Sequence, residues 1–225
     1  MRLYHPKVVI MTLFVNTAHS YAGMMNDADI STSFNGFYAG ASLGISNLLD
    51  KEQQIVNTET HQLGNLGILG GGFVGYNYYL SEHVSIDIEG FGNATGLNAA
   101  ITHSTNGSTT YQTSTHYNAG VRLLPGYQCS QRLQGHVIIG YANANVQIQD
   151  NGTYGYINTS TNKNGFQAGL GWTTPLTSYV LARLDMLWTT YGPLTSVGTG
   201  LTTPTQTYTN NYATFDGALS LIYKF

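Results

Sequence analysis

From Phe37 to Ser46 the chain alternates residue by residue: Phe37, Ala39, Ala41, Leu43 and Ile45 fall on one face, and Tyr38, Gly40, Ser42, Gly44 and Ser46 on the other. A period of two is the spacing of a β-strand, whose successive side chains point to opposite faces. The same phase recurs in Leu66, Ile68, Val74, Tyr76 and Tyr78 against Asn65, Gly67, Gly71, Gly75 and Asn77. It returns in Phe166, Ala168, Leu170 and Trp172 against Gln167, Gly169 and Gly171. Strands that are apolar on one face and small or polar on the other, about 9–11 residues long, suit a barrel whose outside meets lipid.

Carried along the chain, the pattern predicts strands at 36–46, 63–79, 84–95, 113–127, 133–148, 164–173, 179–190 and 212–225. The expected fold is all-β, an eight-stranded antiparallel up-and-down transmembrane β-barrel. The connections alternate in length, long at 47–62, 96–112, 149–163 and 191–211 and short at 80–83, 128–132 and 174–178. Outer-membrane barrels have short periplasmic turns and longer extracellular loops, so this alternation also predicts the orientation.

Composition explains why lipid is the environment to expect. Only 8% of the residues are charged, against about 25% in soluble domains, so much of the surface is not built for water. Disorder is disfavoured by the aromatic and β-branched content, which favours strands and can bury area. Lys and Arg are few and scattered, which leaves no footprint for nucleic acid. Cys129 is the single cysteine, so no intrachain disulfide is expected.

The first residues read differently. Arg2 and Lys7 precede a largely apolar, uncharged run from Val8 to Val15, with small residues suited to cleavage after Ser20 or Ala22. This is the layout of a secretory signal peptide, and the run is far shorter than the roughly 20 residues of a membrane helix. The expected organisation is a signal peptide at 1–22, a short periplasmic segment at 23–35 and the barrel at 36–225. The expected location is the outer membrane of a Gram-negative cell.

Aromatic residues fall where this topology has its interfaces. Phe37, Tyr76, Tyr78, Tyr127, Trp172, Tyr223 and Phe225 are expected at the periplasmic rim, and Phe215, Trp188 and Tyr117 nearer the outer one. Tyr and Trp favour such levels because the ring is apolar and its tip can hydrogen-bond. Tyr is also simply a common strand residue.

With these features in place, the mature chain resembles the OmpA-type transmembrane barrel and the related opacity-type outer-membrane proteins over nearly all of 36–225. The resemblance rests on Phe37-Tyr38-Ala39-Gly40-Ala41 with Leu43-Gly44, on Gly75-Tyr76-Asn77, on Arg183-Leu184-Asp185 with Trp188, and on Leu219 to Phe225. In the last strand Leu219, Leu221, Tyr223 and Phe225 share a face, and the resemblance implies that this ending is the signal read by the outer-membrane assembly machinery. A peptidoglycan-binding segment after the barrel, and anchorage through one, are not expected. The resemblance also implies ionic contacts inside the barrel, carried by Asp87, Arg122, Arg183 and Asp185, with Glu89 on the same inward side.

Three places depart from a regular pattern. Gly171 stands where the family's pattern has an inward acidic residue. Glu89-Gly90 add a residue to the alternation of the third strand, so a bulge is expected there that returns Phe91 to the lipid face. In the fifth strand Val137, Ile139 and Tyr141 alternate out of phase with Ala142, Ala144, Val146 and Ile148.

Other motifs carry little. Gly70, Gly72 and Gly75 match a dinucleotide fingerprint, but no helix follows them; they are better read as room for large inward neighbours. His116 and Ser114 are expected to point inward near the outer rim, where a lipid-modifying enzyme would need a third orienting group. None is identifiable, and the remaining histidines, assigned to loops, turns or the leader, lack metal-ligand spacing. No enzymatic activity, cofactor or metal is expected. The expected role is structural, in the envelope, with Thr-, Asn-, Ser- and Gly-rich surface loops such as 98–115 and 192–211 offered for adhesion or host interaction. The alternative is a narrow or gated channel for small solutes. The expected partners are outer-membrane lipid and lipopolysaccharide, the assembly machinery and a host or cell-surface ligand, with no nucleic acid.

Overall fold

The computed structural model describes residues 35–54, 60–103, 109–152, 155–198 and 206–225, some strand ends by backbone alone. The expected signal peptide and almost all of the segment 23–35 lie outside these residues. The strands are β1 (Gly36–Gln54), β2 (Thr60–Tyr79), β3 (Val84–His103), β4 (Thr109–Ser130), β5 (Leu133–Gly152), β6 (Gly155–Pro175), β7 (Val180–Tyr191), β8 (Leu194–Gly198) and β9 (Gln206–Lys224). Each wall strand pairs antiparallel with its neighbours, and β9 pairs with both β7 and β1, which closes the ring. β8 pairs only with β9, beyond the end of β7. The wall is therefore an eight-stranded closed barrel, and closure removes the sheet edges that lipid could not hydrate.

The three short turns are tight. Leu80 and Leu176 donate their backbone N–H to the carbonyls of Val84 and Val180 at 2.9 and 2.8 Å, and the Thr177 hydroxyl accepts from the N–H of Val180 at 3.0 Å. At the same rim the Phe225 N–H donates to the Phe37 carbonyl at 3.1 Å, so the last residue is tied to the first strand.

On the outer wall Phe37, Leu43, Ile68, Val74, Ile88, Val121, Leu170, Leu219 and Leu221 are all exposed. So large an apolar surface would be untenable in water and is the surface that lipid matches. Phe37, Tyr76, Tyr78, Tyr127, Trp172, Tyr223 and Phe225 are exposed at the short-turn rim, and Phe215, Trp188 and Tyr117 are exposed further up. From Phe215 to Tyr223, at about 3.4 Å per residue and a tilt of about 40°, β9 climbs roughly 20 Å, close to the apolar band of about 25 Å.

Inside this band the glycines make room for bulky partners directly across the strand pair. Tyr38 stands opposite Gly75 and Phe73 opposite Gly40. A Cβ on Gly75 would come within 2.5 Å of the Tyr38 ring, and one on Gly40 within 2.3 Å of Phe73. Gly70 and Gly72 differ from Gly75 in facing outward, and the backbone of β2 continues as strand through all three.

The strands run well past the membrane band, and this corrects the expected loops. β1 reaches Gln54 rather than 46, β3 reaches His103, β4 begins at Thr109, and β5 and β6 pair up to Gly152 and Gly155. Most of the expected loop residues, including much of 98–115, are strand. They escaped a reading based on an apolar outer face because the polarity of the wall inverts there.

β5 shows the inversion most clearly. Val137, Ile139 and Tyr141 face outward, His136 and Ile138 inward, and the alternation continues without a slip. Above Tyr141 the outward residues become Asn143, Asn145 and Gln147, and the inward ones become Ala142, Ala144, Val146 and Ile148, all buried. The expected phase change is a change of surroundings at constant phase. Ala144, Val146 and Ile148 pack with Leu48, Leu97, Tyr191 and Tyr212 into an apolar core, as in a water-soluble barrel.

The expected bulge at Glu89-Gly90 is also absent. β2 and β3 pair without interruption from Leu69 opposite Thr95 to Tyr79 opposite Ser85. Phe91 therefore stays inside, buried, where it supplies a ring face to Arg122 at 5.1 Å. The register breaks higher up, between Ala94 and Leu97 on β3 and between Thr115 and Asn118 on β4.

Candidate functional site in the barrel interior

Between the short-turn mouth and the apolar core lies an ionic layer. Glu89 on β3, its side chain fully buried, accepts from both arginines: from Arg122 Nη2 at 2.9 Å and Nε at 3.2 Å, and from Arg183 Nη1 at 2.6 Å and Nη2 at 3.1 Å. Asp185 Oδ2 lies 2.9 Å from Arg183 Nε, an ion-pair contact rather than an aligned hydrogen bond, and 4.0 Å from Arg122 Nη2. Two carboxylates thus face two guanidinium groups, the arrangement that buried charge requires.

Aromatic rings complete the enclosure. Arg183 lies 4.3 Å from the Phe73 ring centre and Arg122 5.6 Å from it, so one ring serves both cations on their apolar side. Parity brings the charges together: residues 87, 89 and 91 on β3, 122 on β4 and 183 and 185 on β7 all point inward, and eight strands leave room only for side chains to fill the lumen.

The structure brings Glu89, Arg122, Arg183 and Asp185 into one cluster but sets Asp87 apart. Asp87 accepts a hydrogen bond from the Asn77 amide. Both line a cavity of about 50 Å³ at the short-turn mouth, with Tyr38, Tyr79, Gln134 and Lys224 around them. That volume suffices for a few water molecules.

Two interior residues are not among those expected from sequence. His136, grouped with the loop and turn histidines although it falls within the expected strand 133–148, is a buried residue of β5 whose Nε2 lies 3.0 Å from Asp185 Oδ1. Asp216 on β9 is buried and accepts from the Ser46 hydroxyl. Parity could have found both, since His136 shares its side with Gln134 and Ile138, and Asp216 with Ser220 and Lys224.

His136 also explains Gly171. A Cβ there would lie 2.3 Å from both Asp185 Oδ1 and His136 Nε2. The side chain expected at this position is replaced by space, which the histidine–aspartate pair fills from either side. Gly171→Ala should force that pair apart and cost about 1–3 kcal/mol, the scale of overpacking a filled core. A lowered unfolding midpoint in urea, read by gel mobility, checks this.

His116 is corrected in the opposite sense. The irregular register at 115–118 leaves it exposed on the outer wall, where its Nε2 lies 3.2 Å from Gln147 Oε1. Neighbouring Ser114 is buried, so the two do not meet in the lumen as expected. Among the described residues no group of three or more His, Cys, Asp or Glu side chains could hold a metal ion.

A closed eight-stranded wall with an apolar belt outside and paired charges inside defines an outer-membrane β-barrel protein. The chain belongs to the family described as the outer membrane protein beta-barrel domain, whose model matches residues 9–216, and this family places it in the Gram-negative outer membrane. No curated protein matches the sequence. Among solved structures it is similar to Neisserial surface protein A, with 10% identity, 84% of this chain and 97% of that one covered, and a TM-score of 0.47. Ail, the attachment invasion locus protein of Yersinia pestis in complex with the heparin analogue sucrose octasulfate, covers 81% of this chain and 99% of its own at 8% identity and a TM-score of 0.36. The outer membrane protein AlkL, in lipid bilayers, covers 89% and 96% at 16% identity and a TM-score of 0.39.

Proposed function

We propose that the protein is a non-enzymatic, closed barrel that contributes to envelope integrity and carries a surface-exposed rim for adhesion or host interaction. The observation that carries this reading is the double seal of the lumen, in which the Glu89–Arg122–Arg183–Asp185 layer is backed by the apolar core around Leu48, Val146 and Tyr191. A lumen filled by paired charge and then by hydrocarbon offers small solutes no water-lined path, which argues against the channel alternative. His116, turned outward toward Gln147, favours a non-catalytic role.

In this reading residues 1–22 are a cleaved leader, the short turns face the periplasm and the strand extensions stand outside the cell. The assembly machinery recognises the outward row Leu219, Leu221, Tyr223 and Phe225, which is exposed along β9.

Planar-bilayer recording of the purified protein at high salt tests the seal. No discrete current steps are expected; regular steps would establish the channel instead. A deletion strain should lose attachment to cells or surfaces and should also admit small solutes more readily, as the loss of a barrel that supports the envelope requires. Leakage with unchanged attachment would overturn the adhesive part of the reading.

A further inference from the structure

Immediately above the membrane band, the outer wall of β5 and β6 carries a ladder of paired uncharged groups. Asn143 donates to Asn164 Oδ1 at 2.7 Å, and Asn145 to Asn162 Oδ1 at 3.0 Å and to Ser160 Oγ at 3.1 Å. Gln147 and His116 extend it upward. One step below, Tyr141 stands opposite Phe166, and both are exposed. We propose that this ladder binds the sugar rings of lipopolysaccharide molecules that stand beside the barrel in the outer leaflet.

Four features select that occupant. The groups are matched to hydroxyls, because an amide both donates and accepts. Asn143 and Asn164 are each committed through only one atom of the pair, which leaves an amide hydrogen and a carbonyl or amide group for a ligand. The pairing fixes those groups in orientation, which reduces the ordering cost of binding. The described outward side chains here are uncharged amides, hydroxyls and His116, and Lys163 gives its ammonium to the Pro193 carbonyl at 3.1 Å. The sugars, rather than the phosphates, are therefore the part recognised.

Direction decides between sources of sugar. The ladder faces sideways from the barrel wall, at the level just above the lipid-facing belt. It meets what stands beside the barrel in the leaflet, whereas a glycan on another cell approaches the strand ends from above. The exposed rings of Tyr141 and Tyr117 border the ladder and offer apolar faces to such a neighbour.

The inference rests on the orientation given above, with the strand extensions outside the cell, and the test separates the two. The whole mature protein with Cys129→Ser and Asn162→Cys is labelled on intact cells with a membrane-impermeant maleimide; absence of labelling would reject the orientation. The protein with its native Asn162 is then placed in nanodiscs with lipopolysaccharide carrying its core sugars or with lipid A lacking them, and the lipid retained on purification is measured. The wild type should retain the core-bearing lipid about fivefold more than lipid A, and Asn143→Thr with Asn162→Thr should abolish that preference. Threonine suits an exposed strand, and heat-dependent gel mobility checks that the variant folds. Equal retention of the two lipids by the wild type, which needs no variant, overturns the proposal, as does an undiminished preference in the folded double variant.

Discussion

Glu89→Ala is expected to lower the stability of the folded barrel by about 3–5 kcal/mol, the cost of breaking a buried ion pair by removing one partner. Among the described residues Glu89 is the one hydrogen-bond acceptor shared by both arginine side chains: four of their nitrogen contacts end on its two oxygens. Without it Asp185 alone faces Arg122 and Arg183, with Arg122 as far as 4.0 Å away. Glu89→Gln should cost less, because the amide keeps the volume and one accepting oxygen. Urea titration of the detergent- or lipid-bound protein, read by heat-dependent gel mobility, gives the midpoints. A further variant with Arg122→Met added to Glu89→Ala should recover part of the loss, since it removes one of the stranded charges. If Glu89→Ala lost less than about 1 kcal/mol, water would have to be reaching the layer.

The same layer shows what parity in the sequence reveals and what it does not. Asp87, Glu89, Arg122, Arg183 and Asp185 occupy inward positions, and alternation alone is enough to place them there. The partners are another matter. Alternation fixes a face, whereas height along the barrel depends on strand register, so Asp87 falls to the mouth while Glu89 meets both arginines. His136 escaped because its strand looked irregular, and Asp216 because its neighbours Phe215 and Gly217 do not advertise a polar lumen.

The eight wall strands and the short turns were legible because lipid imposes one rule, apolar outward and small or polar inward, on every strand at the same height. Above the membrane water imposes the opposite rule. There Asn145 and Val146 alternate as regularly as Tyr141 and Ala142 below them, but with the faces exchanged. Read with the membrane rule, that segment looks like polar loop with a slipped strand; read with the water rule, it is ordinary strand. Phe91 failed for a related reason, because an aromatic residue was assigned to lipid when it serves as a ring face for a buried cation.

This inversion predicts that arginine substitutions at three outward or inward positions have sharply different costs. Val121 faces outward within the membrane band, opposite Tyr141, so Val121→Arg places a charge in hydrocarbon and should cost about 2–4 kcal/mol. Asn145→Arg lies outward only a few residues higher on the neighbouring strand, where the wall meets water, and should cost no more than about 1 kcal/mol, the loss of its exposed hydrogen bonds to Asn162 and Ser160. Val146→Arg, one residue on, turns the charge into the apolar core beside Leu48 and Ile148 and should destabilise by several kcal/mol or prevent folding. The three variants, compared by urea midpoint in the same bilayer, are expected in the order Asn145→Arg, Val121→Arg, Val146→Arg from least to most damaging. A large cost at Asn145 would mean that lipid extends to the amide ladder. A small cost at Val146 would mean that the upper lumen holds water, and that the second seal of the barrel does not exist.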